Sequence, residues 1–265
     1  MIDIHSHILP GLDDGAKDVK ESIQILEHII NQGISEIIAT PHILPGSYDN
    51  NKETIDKAYQ LLIQEVESKG LEIKIYKGAE LYLVPNLKEK IYKESFTLAD
   101  SKYILVEGSL QGLPTDLVQM LFELQIAGYK PILAHAERYA NIQNNPDIVK
   151  DLINRDILIQ INAGSLFGEF GQNAAKVAHQ LLQEGGVHFI ASDVHHIKNR
   201  QVMMKEVYSF IADNLDIMIA ELLMQENPMK VINNENIDSL YNDYFVMEKQ
   251  ASLFKRIIHK LINIF

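Results

Sequence analysis

Ile2-Asp3-Ile4-His5-Ser6-His7 opens the chain with a short apolar run that ends in two histidines one residue apart. Residues i and i+2 of an extended segment face the same side, so His5 and His7 leave the end of this strand toward one region. A helical pattern follows over 19–32, with Ile23, Leu26, Ile29 and Ile30 at helical spacing and Gly33 at its end. The next apolar run, Glu36-Ile37-Ile38-Ala39-Thr40, closes on Pro41-His42. The alternation continues with β-type runs at 73–76, 103–106, 131–134, 157–161 and 187–191. Helical patterns cover 53–68, 117–127, 146–154 and 172–184, and helices are expected again from Arg200 on. Seven strand candidates with helical crossovers predict parallel βαβ units, and nearly continuous apolar strands predict a sheet covered by helices. A closed or nearly closed seven-stranded barrel and an open doubly wound sheet both fit. No Gly-rich phosphate fingerprint follows the first strand, which counts against a dinucleotide-binding sheet.

The 265 residues are 46% hydrophobic and 23% charged, a globular composition with enough apolar mass for a sizeable core. The net charge of −12 argues against nucleic acid as a general partner, since such binding is driven by phosphate neutralisation. It leaves room for one locally cationic pocket. There is no cysteine, which excludes disulfides, thiolate metal sites and a phosphocysteine mechanism. Neither a signal-peptide pattern nor a membrane-length apolar run is visible, so a soluble, cytoplasmic protein is expected.

Chemistry gathers where the strands end. His5 and His7 follow the first, His42 the second, Glu80 the third, Glu107 the fourth, His135 the fifth, and Asp193 and His195 the seventh. In α/β barrels the active site is built from the loops at that end of the strands. Imidazole and carboxylate donors without sulfur suit Zn²⁺, Mn²⁺ or Fe. The set exceeds the four to six ligands one divalent ion takes, so two or three metals sharing bridging carboxylates are expected. His28, His179, His188 and His196 are read as structural or surface residues, and Tyr48 and Tyr82 as candidates to line the entrance.

The motifs Met1-Ile2-Asp3-Ile4-His5-Ser6-His7, Asp13-Asp14-Gly15, Pro41-His42, Gly78-Ala79-Glu80, Ala134-His135-Ala136-Glu137-Arg138-Tyr139 and Ser192-Asp193-Val194-His195 resemble the polymerase-and-histidinol-phosphatase (PHP) superfamily. Within it, the chain is similar to the manganese-dependent bacterial protein-tyrosine phosphatases that regulate capsule and exopolysaccharide synthesis. The likeness spans roughly residues 1–232. It implies a distorted seven-stranded (β/α) barrel over 1–250, with three divalent ions, Mn²⁺ or alternatively Zn²⁺ or Fe, at the C-terminal strand ends. By the same resemblance His5, His7, Glu80 and Asp193 surround one ion. Glu80 bridges to a second held with Glu107 and His135. Asp14, His42 and His195 hold the third, with Asp13 as the alternative to Asp14.

Four carboxylates and three divalent ions leave that pocket at about +2, so an anionic phosphoester is drawn to it. Arg138 and Arg200 are implied to bind the phosphate, for which the guanidinium fork is suited. The expected reaction is direct hydrolysis by metal-activated hydroxide, with His42 as a candidate to protonate the tyrosyl oxygen. The implied substrate is the phosphotyrosine tail of a membrane-associated bacterial tyrosine kinase. Alternatives are another PHP phosphoesterase, such as a histidinol phosphatase, and a non-catalytic phosphopeptide-binding barrel. The segment 251–265 reads as an amphipathic basic helix (Leu253, Phe254, Ile257, Ile258, Leu261 against Lys255, Arg256, His259, Lys260) that either touches a membrane surface or packs on its own barrel or on a second copy in a homo-oligomer.

Overall fold

Asp18 caps the first helix by accepting the Glu21 backbone N–H at 2.9 Å, and the buried stripe Ile23, Leu26 and Ile29 pins that helix to the sheet. Such capped, one-sided helices alternate with strands throughout. The computed structural model describes residues 1–85, 87–196 and 202–237. Strands β1 (Ile2–Ser6), β2 (Glu36–Ala39) and β4 (Lys74–Lys77) form a parallel sheet in the order β1-β2-β4. Strands β3 (His42–Ile43), β5 (Glu80–Tyr82), β6 (Tyr103–Glu107), β7 (Lys130–Leu133), β8 (Leu158–Asn162) and β9 (Phe189–Ala191) form a curled six-stranded parallel sheet in chain order.

The second and third of the seven expected strands are each followed by a further short strand that belongs to the other sheet. The second ends at Thr40-Pro41, where proline supplies no N–H to a ladder, and β3 begins beyond it. The third ends at Gly78-Ala79, and β5 follows. A Cβ at Gly78 would lie 2.8 Å from Leu98 and 3.0 Å from Ile38, so this crossing point admits only glycine without repacking. Backbone bonds bridge these gaps: Thr40 N donates to Ser6 O at 2.7 Å and Glu80 N to Pro41 O at 3.1 Å. Beyond β9 the chain returns to β1, with Asp193 N donating to His5 O at 3.0 Å and His7 N to Val194 O at 2.9 Å.

The core has two layers. Ile4, Ile38, Tyr103, Leu105, Ile132, Leu158 and Phe189 form an inner cluster, closed by Val231 and Ile237 of the last described segment. Their strand neighbours, such as Ile37, Ile104, Val106, Leu133, Ile159 and Ile190, face the surrounding helices. This is period-2 alternation with both faces buried. A helix at Leu87–Glu94, outside the expected pattern, packs Leu87 and Ile91 inward. No helix among the described residues is long and apolar enough to cross a membrane. Arg200 and the segment expected as a helix at 251–265 lie outside the described residues.

Candidate metal centre

His135 and Asp193 sit just beyond β7 and β9 with backbone φ of 35° and 52°, the left-handed region that non-glycine residues avoid. Each such residue costs about 1–3 kcal/mol, and the surrounding structure must hold it. The result is that both side chains turn inward at the C-terminal end of the strands. There they meet all seven other ligand candidates.

Glu80 is the hub. Its Oε2 lies 3.2 Å from His5 Nε2, 3.3 Å from His7 Nε2 and 3.0 Å from His42 Nδ1, and its Oε1 lies 2.9 Å from His135 Nε2. Glu107 approaches His42 Nδ1 at 2.9 Å and His135 Nε2 at 3.7 Å. Asp193 Oδ1 is 3.5 Å from Nε2 of both His5 and His7. Asp14 Oδ1 lies 3.4 Å from His195 Nε2 and 3.5 Å from His42 Nε2. Three subsets have donor atoms all within 4.8 Å of one another: His7, Asp14, His42 and His195; His5, His7 and Asp193; His42, Glu80 and Glu107.

The outer partners decide which nitrogens face inward. His5 Nδ1 lies 3.1 Å from Gln160 Oε1, and His7 Nδ1 lies 2.8 Å from Asp13 Oδ2. Both partner oxygens can only accept, so when these rings are neutral, as a bound cation requires, each Nδ1 carries the proton and each Nε2 presents a lone pair. Those two Nε2 atoms are 3.2 Å apart with carboxylate oxygens around them. Neutral rings in that arrangement repel unless a cation lies between them. His195 Nδ1 is likewise committed, to Asp193 O at 2.9 Å. Within the cluster the buried atoms Glu80 Oε2, His42 Nδ1 and His135 Nδ1 make no aligned hydrogen bond. Buried polar atoms left this way are costly in a closed protein, so the donor set fits divalent cations.

The electrostatics agree. Burial works to lower the His7 pKa, but the attraction and hydrogen bond of Asp13, with the Glu80 carboxylate close by, outweigh it and push it up to about 10. For His42, burial is again outweighed, by Glu80 and Glu107, and its pKa rises to about 12. Burial would raise Glu80, yet His5 and His42 hold it well below the usual carboxylate range. Without metal, this pocket stabilises positive charge by any available means.

Asp13 and Asp14 are separated by their contacts. Besides His7, Asp13 accepts from His42 N at 3.0 Å and Gly15 N at 2.9 Å, so its oxygens are occupied. Gly15 lets this loop lie on β1, since a Cβ there would collide with the His7 carbonyl. Asp14 points its free side to His42 and His195. We expect Asp13→Asn to weaken metal binding about 10- to 100-fold through loss of His7 orientation; a titration with Mn²⁺ followed by calorimetry checks this, and an unchanged affinity contradicts it.

Sequence reasoning passed over Gln160 and Asn162, a pair of amides at i and i+2 on β8, the sixth of the seven expected strands and the one to which no ligand candidate was assigned. Gln160 Oε1 also accepts from His135 N at 3.0 Å, its Nε2 donates to Asn162 Oδ1 at 2.9 Å, and Asn162 Nδ2 donates to Asp193 Oδ2 at 2.6 Å. The spacing was the available signal. Asp3 is a second omission: fully buried, it accepts from Ser192 N and Oγ and so holds the chain beside Asp193. Arg138 donates from Nη1 to Asp193 Oδ2 at 3.0 Å. Tyr48 lies parallel to the His42 ring, 5.6 Å between centroids at 11°. His179 and His188 bond to Leu166 O and Ile159 N, and His196 turns to Glu21, all away from the cluster.

The family described as capsular polysaccharide synthesis, CpsB/CapC, matches residues 1–233. The chain belongs to the CpsB/CapC family. It is 33% identical over 238 residues to tyrosine-protein phosphatase YwqE of Bacillus subtilis, covering 89% of this chain and 93% of that one. It is 33% identical to tyrosine-protein phosphatase CpsB of Streptococcus agalactiae, covering 89% of this chain and 100% of that one. A crystal structure from the work on YwqE of B. subtilis and CpsB of Streptococcus pneumoniae, described as metal-dependent tyrosine phosphatases, matches with TM-score 0.85 at 33% identity, covering 89% of this chain and 96% of that chain. Beyond the CpsB/CapC family, a histidinol phosphate phosphatase from Lactococcus lactis shares the fold at TM-score 0.52 and 16% identity, covering 84% of this chain and 96% of that chain.

Proposed function

We propose that this CpsB/CapC chain is a metal-dependent phosphatase that hydrolyses phosphotyrosine on proteins. Its substrate would be the phosphorylated tail of a membrane-associated bacterial tyrosine kinase controlling exopolysaccharide synthesis, met in the cytoplasm. The observation that carries this is the convergence of five imidazoles and four carboxylates, with the outer hydrogen bonds of His5 and His7 turning their Nε2 atoms inward. The relatives named above as tyrosine-protein phosphatases support the substrate class.

In this reading His5, His7, Glu80 and Asp193 would hold one ion, Glu80, Glu107 and His135 a second, and Asp14, His42 and His195 a third, with Mn²⁺ the first candidate. Ions bound there would supply charge to neutralise the phosphoryl oxygens and would lower the pKa of a water for attack on phosphorus. Arg138, steadied by Asp193 through Nη1, takes phosphate oxygens with its remaining N–H groups, and Arg200 is assigned the same task from its motif. The phosphorus–tyrosyl oxygen bond breaks as the new P–O bond forms, and His42 is assigned the proton for the leaving oxygen. Phenolate leaves readily, with a pKa of about 10, so this proton adds little. The products are tyrosine and inorganic phosphate, without a covalent enzyme intermediate. The same reading joins the two sheets as one distorted seven-stranded barrel, with β2–β3 and β4–β5 each a single broken strand. The bond from Asp193 N to His5 O in β1 and that from His7 N, just beyond β1, to Val194 O support that closure.

The test is phosphate release from a phosphotyrosine peptide with Mn²⁺, beside histidinol phosphate as competitor and with chelator as control. Release from the peptide, abolished by chelation, is expected. Preference for histidinol phosphate, or tight peptide binding without release, overturns the reading. Arg138→Ala is expected to lower kcat/KM about a hundredfold, the scale of one lost transition-state donor.

A further inference from the structure

The loop Gly168-Glu169-Phe170-Gly171 joins a 3₁₀ stretch (Ala163–Phe167) to the helix Gln172–Gln183. It turns twice through left-handed glycines, with φ of 82° at Gly168 and 91° at Gly171. Glu169 N donates to Gly164 O at 3.0 Å and Gly171 N to Gly168 O at 2.9 Å. The Glu169 side chain folds over Gly164, where any Cβ would strike its carboxylate. The result is a tight turn that presents one aromatic ring.

That turn is tied to the segment carrying Arg138. Glu137 is fully buried, and its Oε1 accepts from Ser165 Oγ at 2.5 Å and from Asn162 N at 2.9 Å. One anchor therefore sets both the 3₁₀ stretch that leads to Phe170 and the guanidinium of the next residue. The Phe170 ring centroid lies 4.3 Å from Arg138 Cζ, a cation–π contact. The ring stands outside both apolar clusters of the core. Phe170 is partly buried, and the guanidinium it touches donates to Asp193, so the ring stands one side chain away from the cluster of imidazoles and carboxylates.

We propose that Phe170 is a specificity-determining residue that stacks against the aryl group of the bound phosphoester, so that the centre selects aryl over alkyl phosphates. This rests on the phosphatase reading above and names the substrate feature that the site recognises. A phosphoryl group whose oxygens meet Arg138 carries its ester substituent past the same guanidinium, and Phe170 borders that path. A phenyl ring there gains an offset-stacked or edge-to-face partner. A seryl methylene has too little surface to gain from it.

The experiment compares wild type with Phe170→Leu, Phe170→Ala and Phe170→Tyr as full chains loaded with Mn²⁺. Two readouts are taken: kcat and KM on a phosphotyrosine peptide and on its phosphoserine counterpart, and calorimetric binding of benzylphosphonate against propylphosphonate. Loss of the ring is expected to weaken the aryl ligand about tenfold, chiefly in KM, with the alkyl ligand within about twofold and Phe170→Tyr close to wild type. Equal weakening of both ligands would mean that the ring only steadies Arg138 and would overturn the proposal, as would no change in either. Should wild type release phosphate from neither peptide, the phosphatase reading fails, while the phosphonate pair still decides whether Phe170 selects aryl groups.

Discussion

Glu80→Gln is expected to strip the centre of metal and to lower phosphate release from a phosphotyrosine peptide by more than about a hundredfold, the upper scale for loss of a group that only orients a ligand. Glu80 stands to lose more than such a group because four imidazoles meet it at 2.9–3.3 Å. Glutamine preserves its shape and removes its charge. The amide also aims N–H donors at nitrogens whose lone pairs are needed for metal. The change is local, since Leu81 and not Glu80 supplies the core contact of β5. Elemental analysis after dialysis, phosphate release, and a far-UV circular dichroism spectrum make up the test. A folded variant that keeps its metal content and its activity within about threefold would remove Glu80 from the hub.

The alternation of strands and helices was legible because each strand is a short apolar run and each helix shows one buried stripe. The ligand candidates were legible for the same reason: histidines and acids are conspicuous where an apolar run stops. His5 with His7, and Asp193 with His195, needed only the two-residue period. The breaks at Pro41 and Gly78-Ala79 were not legible, because what happens there is a change of partner between sheets, decided by residues far away in the chain. Nor was the left-handed backbone of His135 and Asp193, which the surrounding fold imposes against local preference. Gln160 and Asn162 carry no charge and pass in a sequence for ordinary polar residues, although together they link His5, His135 and Asp193. Asp13 and Asp14 are chemically alike and adjacent, and three-dimensional contact alone gives one to His7 and the other to the His42–His195 side. The helix Leu87–Glu94 escaped because two buried positions, Leu87 and Ile91, make too short a stripe to register as periodic.

Metal affinity should rise steeply with pH, and the reason lies in what the pocket does without metal. Burial alone would lower the pKa of His7 and His42, but the acids around them raise these to about 10 and about 12. At pH 7 to 8 the metal-free pocket therefore keeps protons on two rings that must be neutral to bind a cation. The His5 pKa is raised as well, burial being outweighed by Glu80 and Asp193, so displacing at least two protons makes the apparent affinity climb about a hundredfold or more per pH unit in this range. The sign for stability is opposite in the two forms. In the metal-free protein both folded pKa values lie above the ordinary 6.5, so the stabilisation they bring is complete below about pH 6.5 and is lost as pH rises toward about 10 and 12. In the metal-loaded protein, stabilisation grows with affinity and so increases over the same interval. The Tm difference between loaded and chelated protein is therefore expected to widen from pH 6.5 to pH 9 at fixed free Mn²⁺, and calorimetric titrations in two buffers of different ionisation enthalpy should register at least two protons released. A constant Tm gap with no proton release would mean that the imidazoles already face the centre neutral, and that the acids around them serve the cation alone.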